Sequence, residues 1–499
     1  MTEPQILSAG CLLSSASGKV SARSATVRYD ANGILSVDVG GGEAHERTLL
    51  MPPFSNAHDH GRGLKTLAYG VVDQAVEAWV SATYTLPPVD PYLIAAAAFG
   101  RMALNGIASV VHCHLSRTPQ ALIEEAIAVR RAADDVGVRV AFVVPLRDRH
   151  RLGYAADDAV LSYLPPEDRA GVSARLKPIV PVEEQVALVE EIARVCESEH
   201  FRVQFGPVGA EWCSDALLER VAAASKASGR RVHMHLLESK YQREWADYAY
   251  PGGIVVHLDA LGLLSERLTV AHGTWLRPDE CRLLARRGVI VSINTSSNLR
   301  LRSGVAPVAD LLAAGAVFAL GLDALALDDD DDMLREMRLT RLLHAGLGFG
   351  RGLEPDAVLQ AAVCNGARAV TGEPGGEIVP GRPADLLLLQ LDEASADMPP
   401  ALYDALSVLH ARADGSAVRT LVVAGRKVVE EGRLVGIDLR RVEAELRAQL
   451  DAFASELADL RPALARVHAA LECFYEAGGH CGGARPAGAR RDAAGRGKT

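Results

Sequence analysis

His58 and His60, with Asp59 between them, form the first pattern in the chain whose residue types and spacing could bind a metal ion. Residues i and i+2 of an extended strand face the same side, so both imidazoles can point at one cation. Imidazole nitrogen is a common ligand for Zn²⁺ and similar divalent metals. Two surface histidines in a loop would look the same, so the motif gains meaning only if further ligands join it.

Four more side chains with suitable chemistry follow short apolar runs later in the chain, namely His235, Glu238, His272 and Asp323. Taken singly, His272 could be a core histidine and Asp323 a helix cap. If the runs are parallel strands of one barrel, however, their carboxyl ends meet at one face, where barrel enzymes have their active sites. Three imidazoles and a carboxylate would then form a metal site, with Glu238 and His272 available for proton transfer.

The elements that could bring these side chains together alternate between about residues 49 and 371. Short apolar runs lie at 49–51, 109–114, 138–144, 201–205, 231–236, 268–271, 289–293 and 317–322. Segments with helical spacing separate most of them, for example 120–136, 183–196 and 215–227. Strands that alternate with helices indicate parallel β/α units, because a parallel return needs a crossover. Eight such units predict an α/β fold of the (β/α)8 TIM-barrel type.

The two flanks of this region have a different texture. Residues 1–48 and 377–437 carry short alternating runs around glycine-rich turns, which predict strands. We expect both ends to form one small β-sandwich domain beside a barrel of residues 49–376. Residues 438–475 have the spacing of amphipathic helix. Residues 476–499 are rich in Gly, Ala and Arg and have few large apolar side chains, so we expect a disordered tail.

The composition of the 499 residues is that of a globular protein, with 49% hydrophobic and 23% charged residues. The formal net charge of −10 argues against a general nucleic-acid-binding role, which needs a basic surface. The longest apolar stretch contains glycines and Asp323, so no membrane span is expected. The start of the chain lacks the pattern of a secretory signal, and the eight cysteines are scattered. We therefore expect reduced thiols and a cytoplasmic location.

Several motifs together resemble the amidohydrolase superfamily, in particular the branch of guanine, cytosine and S-adenosylhomocysteine deaminases and of triazine deaminases and chlorohydrolases. The motifs are MPPFSNAHDH at 51–60, HMHLLE at 233–238, VAHG at 270–273, SNLRLRSGVAP at 297–307, GLDA at 321–324 and PGRPADLL at 380–387. The resemblance covers nearly the whole chain up to about residue 440. It is specific for the branch but not for one substrate.

The resemblance implies roles for the residues in these motifs. One divalent metal, usually Zn²⁺ and sometimes Fe²⁺, would be bound by four ligands: His58, His60, His235 and Asp323. Glu238 and His272 would be the catalytic pair, with Asp323 also accepting a proton from water. His233 would lie behind the ligands or in packing. Other branches bridge two metals with a carbamylated lysine on the fourth strand, but residues 201–207 contain no lysine, so one metal is expected.

Substrate contacts are expected from a second set of residues: Arg62, His112, His114, Gln204, Trp212 and Asn298. Arg62 could bind an anionic or carbonyl group, or be a surface residue in a turn. The pair His112 and His114 forms another His-x-His motif at the end of a strand, and we favour substrate or supporting contacts over a second metal. Gln204 could bond to an amide-like ring edge, although core packing explains Gln204 and Trp212 equally well.

The expected activity is hydrolysis of a carbon–nitrogen bond other than a peptide bond. We expect a metal-dependent deaminase that releases ammonia from an amino-substituted purine, pyrimidine, pterin or triazine. The same site could instead open a cyclic amide or displace chloride or an alkylamine from a triazine. A barrel scaffold without activity is a third reading, because fold alone does not determine function. The resemblance also implies a homo-oligomer, with a dimer as the first expectation.

Overall fold

The computed structural model describes residues 3–16, 20–40, 45–83, 85–116, 119–323, 330–350 and 352–483. Ala324, the last residue of the GLDA motif, and most of the expected tail lie outside these ranges. The strands are β1 (Gln5–Leu12), β2 (Ala22–Asp30), β3 (Gly33–Val39), β4 (Thr48–Met51), β5 (Phe54–Asp59), β6 (Ile107–Cys113), β7 (Arg139–Leu146), β8 (Phe201–Pro207), β9 (Val232–Leu236), β10 (Leu268–His272), β11 (Ile290–Ile293), β12 (Val317–Leu320), β13 (Leu386–Gln390), β14 (Val418–Val423), β15 (Arg426–Glu430) and β16 (Arg433–Leu434).

Helices connect most of these strands. They are α1 (Val76–Thr83), α2 (Pro91–Leu104), α3 (Leu122–Val136), α4 (Asp157–Leu161), α5 (Pro166–Arg175), α6 (Val182–Cys196), α7 (Asp215–Ser228), α8 (Lys240–Ala249), α9 (Ile254–Ala260), α10 (Pro278–Arg286), α11 (Thr295–Arg300), α12 (Val308–Ala314), α13 (Met333–Leu343), α14 (Pro355–Gln360), α15 (Gly366–Thr371), α16 (Ala405–Ala411), α17 (Leu439–Asp451) and α18 (Ala454–Glu476). Local signals set their ends: α7 begins where the Ser214 hydroxyl accepts a hydrogen bond from Leu217 N, and it ends at Gly229, whose φ is 74°.

Strands β5 to β12 form the predicted barrel, in sequence order and parallel throughout. The last strand returns to the first, because Asp323 N donates to His58 O over 2.9 Å and Leu322 N donates to Asn56 Oδ1 over 3.0 Å. The (β/α)8 expectation is therefore confirmed. Closure also brings the end of β12 directly beside the His58 motif, which is what the chemistry requires.

One predicted strand has a different place. The apolar run at 49–51 was expected to open the barrel, but as β4 it pairs with β1 and β13 in the other sheet. Pro52 and Pro53 separate it from β5, and proline cannot donate to a strand ladder, so the chain leaves one sheet before it enters the next. The first barrel strand is therefore 54–59.

The second sheet combines both ends of the chain, as expected. Its strand order is β16-β15-β14-β13-β4-β1-β2-β3. Strand β4 is the joint, because it is parallel to β1 from the N-terminal flank and antiparallel to β13 from the C-terminal flank. This sheet holds the segment that leads directly into His58.

The barrel interior is apolar below the rim. Side chains such as Ala57, Val111, Ala141 and Ala319 fill it, and helix α15 packs against its amino end. Burial of this apolar surface is the main source of stability for the barrel. The candidate site residues therefore lie above a packed barrel core rather than above an open channel.

Two helices, α17 and α18, follow the second sheet in the region where helix was expected. Helix α18 packs against α1, and a short helical turn at Gly479–Cys481 packs against α8. His480 in this turn is buried. Residues 477–483 of the segment expected to be disordered are thus described, with the ring of His480 in contact with Tyr241 and Tyr475, and residues 484–499 are not among those described. No helix of the described residues combines the length and apolar character needed to cross a membrane.

Candidate metal centre and active site

Three histidines converge at the carboxyl end of the barrel. His58 lies on β5, His60 one residue beyond its end, and His235 on β9. The outer nitrogens of two of them are occupied, since His60 Nδ1 bonds to Cys113 O over 2.9 Å and His235 Nδ1 bonds to Val208 O over 2.8 Å. Each such contact fixes the ring and directs Nε2 inward, as outer partners of metal-binding histidines do. The two Nε2 atoms lie 3.4 Å apart.

Asp323 completes this group. Its Oδ1 lies 3.2 Å from His58 Nε2 and 3.3 Å from His60 Nε2, and Ser297 Oγ donates to its Oδ2 over 2.6 Å. His58 Nε2 and Asp323 Oδ1 are buried and face each other, but neither makes a hydrogen bond of normal geometry with a described residue. Such atoms are costly unless something binds them. Inward-facing imidazole nitrogens and a carboxylate oxygen are the donor set of a Zn²⁺ or Fe²⁺ site, so these residues fit one metal.

The pKa values of the three histidines also favour metal binding. Burial lowers the pKa of His58 and His60, and it lowers the pKa of His235 to about 3. These rings are therefore neutral at pH 7 and keep the lone pairs that a metal requires. His233 lies behind them, because its Nε2 is 2.9 Å from His58 Nδ1 and the two rings are stacked.

Two of the site residues have a strained backbone. His272 has a φ of 72° and Asp323 a φ of 58°, both in the left-handed region that non-glycine residues rarely adopt. Each such residue costs roughly 1–3 kcal/mol and persists only where the surroundings enforce it. Both lie where a barrel strand ends, so the strain accompanies the turn that aims the side chain into the site.

Glu238 and His272 form a buried pair beside the histidine cluster. His272 Nε2 lies 3.8 Å from Glu238 Oε2, and Ser303 Oγ donates to Glu238 Oε1 over 3.4 Å. Burial raises the pKa of Glu238 to about 7, an effect that Asp323 reinforces and His272 opposes. At neutral pH the carboxyl group therefore exists in both forms, which is the property of a general acid or base.

These groups open into one large cavity. Its volume is about 480 Å³, and its wall includes the functional groups His60, His235, Glu238, His272 and Asp323. Arg62 and Trp212, two of the residues expected to contact substrate, also line it. The Arg62 guanidinium lies over the Trp79 ring at 4.7 Å and donates to Asp323 O over 3.3 Å. Arg62 is therefore held at the cavity wall rather than in a surface turn.

The second His-x-His motif forms a separate chain of hydrogen bonds. His112 Nε2 lies 3.1 Å from His114 Nδ1, and His114 Nε2 lies 2.8 Å from Glu125 Oε2. Both ring nitrogens of His114 are thus engaged, although its ring lines the cavity. His112 is buried and, among the described residues, lines only a smaller neighbouring cavity of about 180 Å³. The substrate contact expected of His112 therefore stays a prediction.

Neither Gln204 nor Asn298 is among the described residues that line this cavity. Gln204 Nε2 donates to Ala369 O over 3.0 Å, because its position on β8 directs it to the helix at the amino end of the barrel. Asn298 Oδ1 lies 2.9 Å from His272 Nδ1. Asn298 thus contacts His272 and Gln204 bonds to the backbone of α15, and the substrate contacts expected of both residues stay predictions.

Some contributors were missed at the sequence level. Trp79 lines the cavity and holds Arg62, but a single tryptophan on a helix carries no distinctive signal. The carbonyls of Cys113 and Val208 orient two histidines, and a backbone group leaves no trace in residue type. Ser297 and Ser303 could have been found, since both lie inside the 297–307 motif.

Comparison with known proteins agrees with this geometry. The model of the amidohydrolase family matches residues 49–428, so the chain belongs to the amidohydrolase family. This range contains all the barrel strands and every candidate site residue.

Two curated relatives and one solved structure are similar to the chain. The chain is 33% identical over 243 residues to a 5'-deoxyadenosine deaminase of Methanosarcina barkeri, covering 48% of this chain and 55% of the relative. It is 31% identical over 253 residues to a 5-methylthioadenosine/S-adenosylhomocysteine deaminase of Desulfitobacterium hafniense, covering 50% and 57%. The chain thus matches little more than half the length of these curated relatives. An adenosine deaminase from Xanthomonas campestris with bound zinc has the same fold, with a TM-score of 0.72, 23% identity, and coverage of 90% of this chain and 98% of that one.

Proposed function

We propose that this protein is a metal-dependent deaminase that releases ammonia from an amino-substituted N-heterocycle, with aminopurine nucleosides as the first substrate class to test. The observation that carries the proposal is the pairing of a buried carboxyl group with a metal-binding cluster on one cavity. Glu238, whose pKa burial raises to about 7, lies beside His272 and shares the cavity with His60, His235 and Asp323. A neutral carboxyl group can protonate a ring nitrogen that an ionised one would repel.

The metal ligands in this proposal are His58, His60, His235 and Asp323. We propose Zn²⁺ as the metal, with Fe²⁺ as the alternative, because imidazole and carboxylate suit both and because a fold relative has bound zinc. When bound, such a cation lowers the pKa of a water molecule and stabilises charge at the attacked carbon.

In this proposal, each of three residues of the chain has its own role: Asp323 and Glu238 transfer protons, and His272 binds the incoming oxygen. Asp323 accepts a proton from the attacking water. Glu238, in its protonated form, donates to the ring nitrogen next to the carbon that carries the amino group. His272, oriented through Nδ1 by Asn298, hydrogen-bonds the incoming oxygen with Nε2. The amino group takes up the proton held by Asp323 and leaves as ammonia when the tetrahedral carbon collapses, and the remaining proton of the attacking oxygen passes to Glu238, which is thereby protonated again.

The size of the cavity supports a substrate larger than a bare ring. Typical small-molecule sites span roughly 300–1,000 Å³, and this cavity of about 480 Å³ lies well within that range. Its wall also includes the apolar side chains Leu115 and Leu188 and the basic side chains Arg147 and Lys177. A base that carries a sugar or a similar substituent would contact both kinds of side chain. The curated relatives named above are deaminases of such compounds.

The test is ammonia release by zinc-loaded protein from 5'-deoxyadenosine, S-adenosylhomocysteine, adenosine, guanine, cytosine, a pterin and an aminotriazine. Ammonia from a nucleoside, absent with the Glu238→Gln variant, supports the proposal and its substrate class. No ammonia from any compound, with zinc present in the protein, would refute it. Product analysis with cyclic amides and chlorotriazines would then test the two other hydrolytic reactions. A protein that binds no divalent metal would favour an inactive scaffold.

A further inference from the structure

The segment formed by α18 and the turn after it, residues 454–483, lies beyond the residues that the family model matches, yet it packs against α1 and against α8, the helix that follows Glu238. We propose that this C-terminal segment is a positioning element for the reaction, in which Tyr475 and His480 hold Tyr154 and α8 so that Glu238 stays aimed into the cavity. The inference rests on the proposed function for its kinetic consequence but not for its structural one.

Tyr475 is the centre of the contact. It is only 3% exposed, and its ring lies 5.3 Å from the Tyr154 ring and 4.9 Å from the Tyr241 ring, measured between centroids. Aromatic pairs at such distances stabilise a contact beyond the area that they bury. The ring of Tyr475 therefore joins the C-terminal helix to two different parts of the barrel rim.

His480 reinforces the attachment to α8. Its Nε2 lies 3.1 Å from Glu244 Oε2, and its ring lies 5.3 Å from the rings of both Tyr241 and Tyr475. Glu244 and Tyr241 both belong to α8, which begins directly after Glu238 and its neighbour Ser239. A shift of α8 would therefore move the backbone that carries the proposed general acid.

Tyr154 provides a second route to the same residue. Its hydroxyl donates to Glu77 Oε1 over 3.1 Å and accepts from Gln242 Nε2 over 3.3 Å. Gln242 Oε1 in turn accepts from Glu238 N over 2.6 Å. These four residues are all buried, so water does not compete for the bonds. Tyr475 is thus connected to Glu238 in two ways. It contacts α8, which follows Glu238 in the chain, and it contacts Tyr154, which is hydrogen-bonded to Gln242 and so to Glu238 N.

Glu77 extends the network to the cavity wall. Ser239 Oγ also donates to Glu77 Oε1, and Glu77 lies on α1, the helix that α18 packs against. The same helix carries Trp79, which lines the cavity and holds Arg62. The C-terminal segment is therefore in contact with both structures that Glu238 depends on, the helix that follows it and the wall that faces it.

The experiment compares Tyr475→Ala with Tyr475→Phe, which keeps the ring contacts, and with Glu472→Ala, an exposed position on the same helix. All are made in the full-length, zinc-loaded protein. Hydrogen–deuterium exchange of residues 236–249 gives a readout that does not depend on activity. We expect faster exchange there for Tyr475→Ala only, with zinc content unchanged.

Kinetics with the substrate identified by ammonia release form the second readout. A misplacement of about 1 Å can cost up to 10²-fold in rate, so we expect Tyr475→Ala to lower kcat by roughly tenfold or more per bound zinc with little change in KM. Tyr475→Phe should restore the wild-type value.

Unchanged exchange at 236–249 in Tyr475→Ala, or an unchanged kcat per bound zinc, would overturn the inference. If Tyr475→Ala does not fold, Tyr154→Phe removes only the hydroxyl that bonds to Gln242 and Glu77, and it must show the same increase in exchange. Should the wild type deaminate nothing, the proposed function fails, while the exchange result still decides whether the segment positions Glu238.

Discussion

Replacing Glu238 with Gln separates two consequences of burying this carboxyl group. Burial keeps a proton on it near neutral pH, which the reaction uses, and burial makes its ionised form costly to the stability of the fold. The amide has the size of the acid and resembles its neutral form, but it cannot donate a proton to a ring nitrogen as an acid does. Glu238 contacts His272 and Ser303 rather than the metal-binding cluster. We therefore expect bound zinc to be retained while kcat falls by about 10²–10⁴-fold, the usual contribution of general acid–base catalysis.

The free energy of unfolding of this variant should rise at high pH, although its kcat falls. Burial raises the pKa of Glu238 from its ordinary 4.5 to about 7, and each pKa unit corresponds to about 1.36 kcal/mol. Because the pKa is higher in the folded state, the cost of ionisation is absent below about pH 4.5, grows as the pH rises, and is complete above about pH 7. Its full value is about 3 kcal/mol. Gln carries no such cost, so Glu238→Gln should be more stable than the wild type at pH 8 and similar at pH 4.5.

The assay is ammonia release and zinc content at pH 7, together with the free energy of unfolding at pH 5 and at pH 8. Glu211→Gln is the matched control, because Glu211 is also buried with its pKa raised to about 8 by burial but is not among the described residues that line the cavity. It should gain stability at high pH and keep its kcat. Normal turnover by Glu238→Gln, loss of its zinc, or a stability deficit that grows with pH would refute the reasoning.

Three further changes test other parts of the site. His233→Ala removes the ring behind His58 and should weaken zinc binding by about 10–100-fold in chelator competition, as loss of an outer partner does; unchanged affinity would contradict this support role. Gly61→Ala places a Cβ 2.3 Å from His112 Nδ1 at a φ of +57° and should lower stability by roughly 1–3 kcal/mol with loss of bound zinc, whereas Gly229→Ala, at a φ of +74° with open space, should keep its zinc. Ser303→Ala removes a hydrogen bond to the Glu238 carboxylate, so the pKa of Glu238 should rise and the fall of kcat/KM with increasing pH should move upward by roughly a few tenths of a pH unit; a downward shift would contradict the assignment.

The sequence allowed the barrel to be predicted because its strands are buried and short and its helices are periodic. The predicted helices at 120–136, 183–196 and 215–227 match α3, α6 and α7 within two residues. The misplaced run at 49–51 shows the limit. An apolar run predicts a buried strand but does not say which sheet it joins, and only the pairing of β4 with β1 and β13 settles that.

The histidine cluster could be predicted for a related reason. Ligands at the ends of successive parallel strands must meet, whatever the details of packing. The directions of the side chains expected to contact substrate could not be predicted in this way. Asn298 and Gln204 are on suitable elements, yet one faces His272 and the other faces the amino end of the barrel. The short helical turn at Gly479–Cys481 could not be predicted from composition, because the position of His480 depends on specific contacts with α8 and Tyr475.

Exclusion of water is the common cause behind both halves of the proposed chemistry. The burial that lowers the pKa of His58, His60 and His235 keeps these rings neutral and able to bind a cation. The same burial raises the pKa of Glu238 and keeps a proton on it near neutral pH. An open site would lose both properties together, because solvated histidine gains a proton and solvated glutamate loses one at mildly acidic pH. Elements that keep water away from Glu238 therefore support the proposed chemistry even though they touch no reacting atom.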